Sequence, residues 1–213
     1  MKVKLTQDQI DGLVRVDRFA VKATVRGVGF NDVGFLTTID RKHIWQYQLW
    51  QDMLKRCFDE KYKQHRSTYE HVKCCDEWLS FAAFLEWCNK QVDYAGKPVG
   101  FALDKDIIVR GNQIYSPDAC SFVPQAVNSL LTDSGAARGD LPVGVSLYKT
   151  SGKFKVKLSC FGKVKRLGLY TTIEDAAFAY KVAKEAHIKI VATQYKDVLL
   201  LVVYESLMNW EII

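Results

Sequence analysis

Between Val145 and Tyr170 the chain carries seven basic residues, Lys149, Lys153, Lys155, Lys157, Lys163, Lys165 and Arg166, and no acidic one. From Lys153 to Leu158 lysine alternates strictly with an apolar residue. The two-residue period of a strand puts the three lysines on one face and Phe154, Val156 and Leu158 on the other. Successive lysines would stand about 6.6 Å apart, two strand rises, a spacing suited to a row of phosphates. Lysine adds affinity without reading sequence, and Arg166 is the one fork-shaped guanidinium able to read a base edge. The plain alternative is a solvated strand face on which lysines guard against aggregation. The absence of acids favours nucleic acid, with double-stranded DNA the expected partner.

A second group centres on two carboxylates. Asp104 and Asp106 stand two apart in a β-prone run, which puts them on one face of a strand, where they would share a divalent cation. Asn128 follows Asp104 by 24 positions and would fold back from a helix. A hairpin with a helix holds a single metal in many phosphodiesterases, where the cation stabilises the leaving oxygen and a histidine activates water. The alternative is a charged hairpin with a capping asparagine.

Cys57, His65, His71, Cys74 and Cys75 fall within nineteen residues, yet no Cys-x2-Cys pair occurs. Cys57 and Cys88 lie on apolar helical faces, so a structural zinc is not expected. Arg26 to Asp32 is glycine-rich but lacks the Gly-Lys-Ser/Thr ending of a phosphate loop and reads as a turn.

These groups need elements to hold them. Tyr47, Trp50, Leu54, Cys57 and Phe58 predict a helix over 44–58. Residues 59–69 are charged and read as a surface loop, and Asp76 opens a second helix to about Gln91. Phe101–Val109 and Gln113–Tyr115 read as a hairpin around Gly111-Asn112, with a short helix between Pro124 and Leu131. Thr132–Leu141 has linker composition. Strands follow at 143–149, 153–160 and 163–170, then a helix capped at Thr171 or Thr172 with Glu174 and Asp175 behind it. Residues 194–210 predict an apolar helix fit to grip a partner. The pattern is α+β: an N-terminal helical region with a ββα unit, then a three-stranded antiparallel sheet packed on a helix, then a C-terminal helix. It divides as 1–131, a linker at 132–142, and 143–213.

The chain has 213 residues, a formal charge of +6 and 48% hydrophobic residues, which excludes a disordered or collagen-like polymer. Met1–Gln7 has no apolar core of a secretory signal, and the longest strongly apolar run, Val198–Val203, falls far short of a membrane span. The expectation is a cytoplasmic protein, away from membranes, whose six cysteines stay reduced.

The string Tyr47-x2-Trp50-x2-Met53-Leu54-x-Arg56-Cys57, with Tyr69 and Asp76-Glu77-Trp78-x2-Phe81-x2-Phe84-x2-Trp87, resembles the front half of phage HNH-endonuclease-like, homing-type proteins. Leu103-Asp104-Lys105-Asp106-Ile107, then Gly111-Asn112-x2-Tyr115-Ser116-Pro117-x2-Cys120-x-Phe122-Val123-Pro124 and Asn128, extend the likeness. Gly135–Val145 leads into a module similar to the Apetala-type DNA-binding domain of plant ethylene-response factors. The resemblance implies a His-Me finger-like ββα unit, a bacteriophage origin acting in the host cytoplasm, and Mg²⁺ or Mn²⁺ held by Asp104 and Asn128. Where that family carries Asp-His, this chain has Asp104-Lys105. Lysine, with an ordinary pKa of about 10.4, is a poor base at neutral pH, which leaves His71 to activate water. The resemblance therefore implies either a metal-dependent endonuclease with a rearranged site or a catalytically inactive factor that binds DNA or a host protein. The C-terminal helix would serve a host-protein partner or a homodimer.

Overall fold

Tyr47, Trp50, Met53, Leu54 and Cys57 recur every three or four residues, and the helix they specify, α1 (Trp45–Phe58), buries all five. The structure, a computed structural model, describes residues 24–91, 100–131 and 140–212. Its class is α+β, and the chain divides into two compact units, Met1–Phe122 and Val123–Ile213. Residues 132–139 of the expected linker lie outside the described residues.

In the first unit two tight hairpins precede α1. The hairpin β1 (Thr24–Val25) and β2 (Gly29–Phe30) turns at Arg26 and Gly27, and β3 (Thr38–Ile39) and β4 (Lys42–His43) at Asp40 and Arg41. Asp40 and Arg41 both have positive φ, which matches the twist of a two-residue hairpin, and Arg26 and Gly27 have positive φ in a three-residue loop completed by Val28. Gly29 lies flat on α1: a Cβ there would stand 2.8 Å from the Trp50 ring. The charged stretch after α1, expected as a loop, coils instead into α2 (Glu60–Gln64) and a 3₁₀ turn, Ser67–Tyr69, with no buried residue in either. Asp59 caps α2 by accepting from the Tyr62 amide at 3.0 Å.

The helix expected over 76–91 is split into a 3₁₀ turn, Asp76–Leu79, and α3 (Phe81–Lys90). Ser80, not Asp76, is the cap of α3. Its hydroxyl accepts from the Ala83 amide at 3.1 Å and donates to Asp32 at 2.7 Å, while Asp32 also accepts from the Ala82 amide at 2.9 Å. Two orphan amides of the first turn are thereby satisfied. The core between α1 and α3 is aromatic. Trp50 donates its indole N–H to the Trp78 carbonyl at 2.7 Å and packs against Phe81, while Trp78 meets Phe84 and Trp87 edge-on.

The expected hairpin of 101–109 with 113–115 does not form. β5 (Lys73–Cys74) pairs in parallel with β7 (Ile114–Tyr115), and β6 (Phe101–Asp104) pairs with β8 (Ser121–Pro124). The strand stops at Asp104 because its side chain captures the next two free amides, those of Asp106 and Ile107, and curls the chain.

In the second unit α4 (Gln125–Leu130) follows Pro124, which caps the helix from outside rather than occupying its first position. β9 (Val145–Tyr148), β10 (Lys153–Cys160) and β11 (Lys163–Tyr170) form one antiparallel sheet with β10 in the centre. The long helix α5 (Ile173–Gln194) starts at Thr172, whose hydroxyl accepts from the Asp175 amide at 3.1 Å. It packs on the sheet through Ala176 and Tyr180, over Val145, Val156 and Leu158. Gly144 enters this core at φ +73°, with its carbonyl accepting from the Lys157 amide at 2.9 Å. A Cβ at Gly144 would collide with the Tyr180 ring, so glycine is required both by backbone and by space.

The apolar tail, expected as one helix over 194–210, forms three pieces: the end of α5, a 3₁₀ turn Lys196–Val198, and α6 (Leu201–Met208). α6 buries Val203 and Leu207 within its own unit, against α5, and exposes Leu201 and Val202. Among the described residues no helix is long and apolar enough to cross a membrane.

Candidate functional site

The basic segment of the second unit owes its arrangement to what the other side of the sheet buries. Val156 and Leu158 are covered by α5, so Lys153, Lys155 and Lys157 project from the opposite, outer face. Lys153 and Lys157 are exposed, and Lys155 is half-buried with its ammonium 5.4 Å from the centre of the Tyr148 ring.

Arg166 joins them through an irregularity in the ladder. Val156 is opposite Gly168, but Lys157 is opposite Arg166, so Leu167 is an extra residue in β11. Without that bulge, Arg166 would share a face with Gly168 beneath the helix; the bulge turns it outward beside Lys157. The same shift sends Lys165 and Lys163 the other way. They pair with Leu158 and Cys160 on the helix-facing side, where both remain exposed. Lys149 lies in the turn between β9 and β10. Of the seven basic residues, four therefore form one outer face, and β9, β10 and β11 contain no acid to neutralise it.

Asp104 occupies a different kind of place, in the first unit. It is 7% exposed at the end of β6, and its Oδ1 accepts from the amides of Asp106 at 2.9 Å and Ile107 at 2.8 Å. This turn takes Asp106 out of the strand, so the two carboxylates do not share a strand face. Lys105 Nζ donates to Asp106 at 3.0 Å and to the Asn112 carbonyl at 3.1 Å, work that requires its protons and not a base. The Asn112 amide donates back to the Lys105 carbonyl at 2.6 Å and to the Ile114 carbonyl at 2.7 Å. Residues 104–114 are thus one hydrogen-bonded loop around a buried carboxyl, and Asn112 was not among the residues singled out by spacing.

Burial, and then the charge of Asp106, push the Asp104 carboxyl up to about 6. The two backbone amides and Lys105 pull in the other direction and lose. His71 lies exposed in the turn before β5 and makes no side-chain hydrogen bond or ion pair among the described residues. Asn128 is on α4, in the second unit. Among the described residues no group of three or more His, Cys, Asp and Glu is placed to hold a metal ion. The Lys105 ammonium forms an ion pair with Asp106 at 3.0 Å.

All six cysteines are free thiols. Burial pushes Cys57 up to about 12 and raises Cys74 and Cys120 further, which keeps them as protonated, unreactive thiols.

No family model, curated protein or solved structure matches the chain.

The Asp104 carboxyl yields a pH prediction. Its folded pKa lies above its unfolded value of about 3.9, so the fold holds the proton more tightly between pH 4 and 6. Stability associated with this group is complete below pH 4 and is lost as pH rises through 6, by on the order of 3 kcal/mol. Asp104→Asn keeps an oxygen for both amides and removes the charge. It is expected to be more stable than the native chain at pH 8 and equally stable at pH 4, measured by thermal unfolding of both proteins across that range. Identical pH profiles would contradict the assignment.

Proposed function

We propose that the chain binds double-stranded DNA through the outer face of the β9–β10–β11 sheet. One observation carries this reading: Lys153, Lys155, Lys157 and Arg166 project from one face of a sheet whose three strands hold no acidic residue. Duplex DNA presents one negative charge about every 1.7 Å along its axis, and each neutralised phosphate releases condensed counterions. The three lysines follow the backbone, and Arg166 is the side chain able to fork onto a guanine edge. Tyr148, Val164 and Leu169 add apolar contact on the same face.

Gel-shift or anisotropy titrations at several salt concentrations test this. Replacing Lys153, Lys155 and Lys157 together with Ala is expected to weaken binding and flatten the salt slope by up to about three, roughly 0.9 per phosphate contact. Replacing Lys163 and Lys165, on the other side of the sheet, is expected to change the slope by less than about one. Equal effects from the two sets would remove the outer face from the interface.

A second reading, metal-dependent phosphodiester cleavage, is favoured by the Asp104 carboxyl, a buried acid–base group shifted toward neutrality. In that reading Asp104 acts with Mg²⁺ or Mn²⁺ on a DNA phosphodiester. Supercoiled plasmid incubated with either cation or with EDTA distinguishes the two. Nicking that needs the metal and disappears in Asp104→Ala supports cleavage. Intact plasmid beside salt-sensitive binding leaves a DNA-binding factor without chemistry.

A further inference from the structure

Within the second unit a cavity of about 580 Å³ opens between α4, the far end of the sheet and one face of α5. Such a volume is in the range that takes a small organic ligand. Its walls are largely apolar, formed by Leu130 of α4, Val143, Leu158 and Val191. Two basic groups, Lys184 and His187, stand one turn apart on α5 and face it together. Among the described residues no Asp or Glu lines the cavity, and the other polar groups there include Ser129, Gln194 and Tyr195.

His187 is 5% exposed, and neither it nor Lys184 makes a side-chain hydrogen bond or ion pair among the described residues. By contrast Lys181, three residues earlier on the same helix, pairs with Glu185 at 3.8 Å. Burial lowers the proton affinity of Lys184, and burial together with the Lys184 charge lowers that of His187, as expected of two neighbouring bases with no carboxylate beside them among the described residues. Phe161 adds a fourth side. It adopts φ +51°, a left-handed conformation unfavourable for a bulky residue, in the turn that sets its ring edge-on to His187 at 4.9 Å.

We propose that this cavity binds a small organic anion: an apolar or aromatic body seated between Leu130, Leu158 and Phe161, with a phosphate or carboxylate head at Lys184 and His187. The anion supplies a counter-charge that no described residue provides. The apolar walls give the body its place, and a charge-assisted hydrogen bond from Lys184 fixes the head. The site is separate from the outer face of the sheet, because it lies on the helix side of β10.

The full chain, labelled for NMR, is titrated with phenyl phosphate, phenylacetate, inorganic phosphate and benzyl alcohol. Phenyl phosphate and phenylacetate are expected to give saturable shifts at α4, the Phe161 turn and the 184–195 face, with a Kd below about 1 mM. Benzyl alcohol, which lacks the charge, and inorganic phosphate, which lacks the body, are each expected to bind at least about tenfold more weakly. Lys184→Met is expected to weaken the aromatic anions at least about tenfold, while Lys181→Met leaves them unchanged. Should Lys184→Met fail to fold, His187→Gln serves in its place with the same expectation. Absence of saturable binding by the aromatic anions up to about 10 mM overturns the proposal. So does binding of benzyl alcohol or inorganic phosphate as tight as that of phenyl phosphate, or a folded variant that retains native affinity.

Discussion

The burial of Val156 and Leu158 beneath Ala176 and Tyr180 decides the chemistry of the second unit. Side chains alternate along a strand, so once one set is committed to the core the other has no choice of face. Each fully buried aliphatic side chain is worth about 1.5–3 kcal/mol, which outweighs the modest mutual repulsion of exposed lysines in water. The cationic outer face is therefore a by-product of packing that costs little to maintain. Gly144 makes the packing attainable, because the chain passes so close to Tyr180 that no side chain fits. The bulge at Leu167 then adds Arg166 to the lysines and separates Lys163 and Lys165 from them. One irregularity in hydrogen-bonding register thus determines which cations act together.

In the first unit the corresponding constraint is polar. An aromatic core holds α1 against α3, with the Trp50 indole satisfied by the Trp78 carbonyl. Asp32 and Ser80 close the start of α3. Asp104, buried at a strand end, must find donors or give up its charge, and it does some of both: it accepts two amides yet retains its proton to about pH 6. The loop that results is orderly, with Asn112 and Lys105 each bonded to the other's backbone. This geometry favours a well-satisfied turn over a ready-made cation cage, since Lys105 already neutralises Asp106.

Much of the framework was legible in the sequence where one period dominated. α1 follows from its apolar spacing, the start of α5 from Thr172 and its acidic first turn, and β10 from strict lysine–apolar alternation. What escaped reading depends on partners distant in the chain. Ser80 wins the cap of α3 from Asp76 because Asp32, 48 residues earlier, supports it. Gly111-Asn112 looked like a hairpin turn, but Ile114 pairs with Lys73 and the strand before it ends early at Asp104. A side chain that hydrogen-bonds its own following amides competes locally with a strand, and spacing alone does not reveal which wins. The bulge is equally silent: the run Lys165-Arg166-Leu167-Gly168 carries no alternation from which Arg166 could be assigned a face. The cavity bases Lys184 and His187 were missed because each reads as an ordinary helical residue until α4 closes over that face.

In the proposed function the lysine face of the sheet, and not the helix behind it, meets DNA. Amide chemical-shift mapping of the full chain with a short duplex at low salt tests it most directly. Shifts concentrated at Ser146–Tyr148, Lys153–Ser159 and Val164–Leu169, and lost as salt rises, are the predicted result. Shifts confined to α5 or to the first unit, with the three strands unmoved, would contradict it.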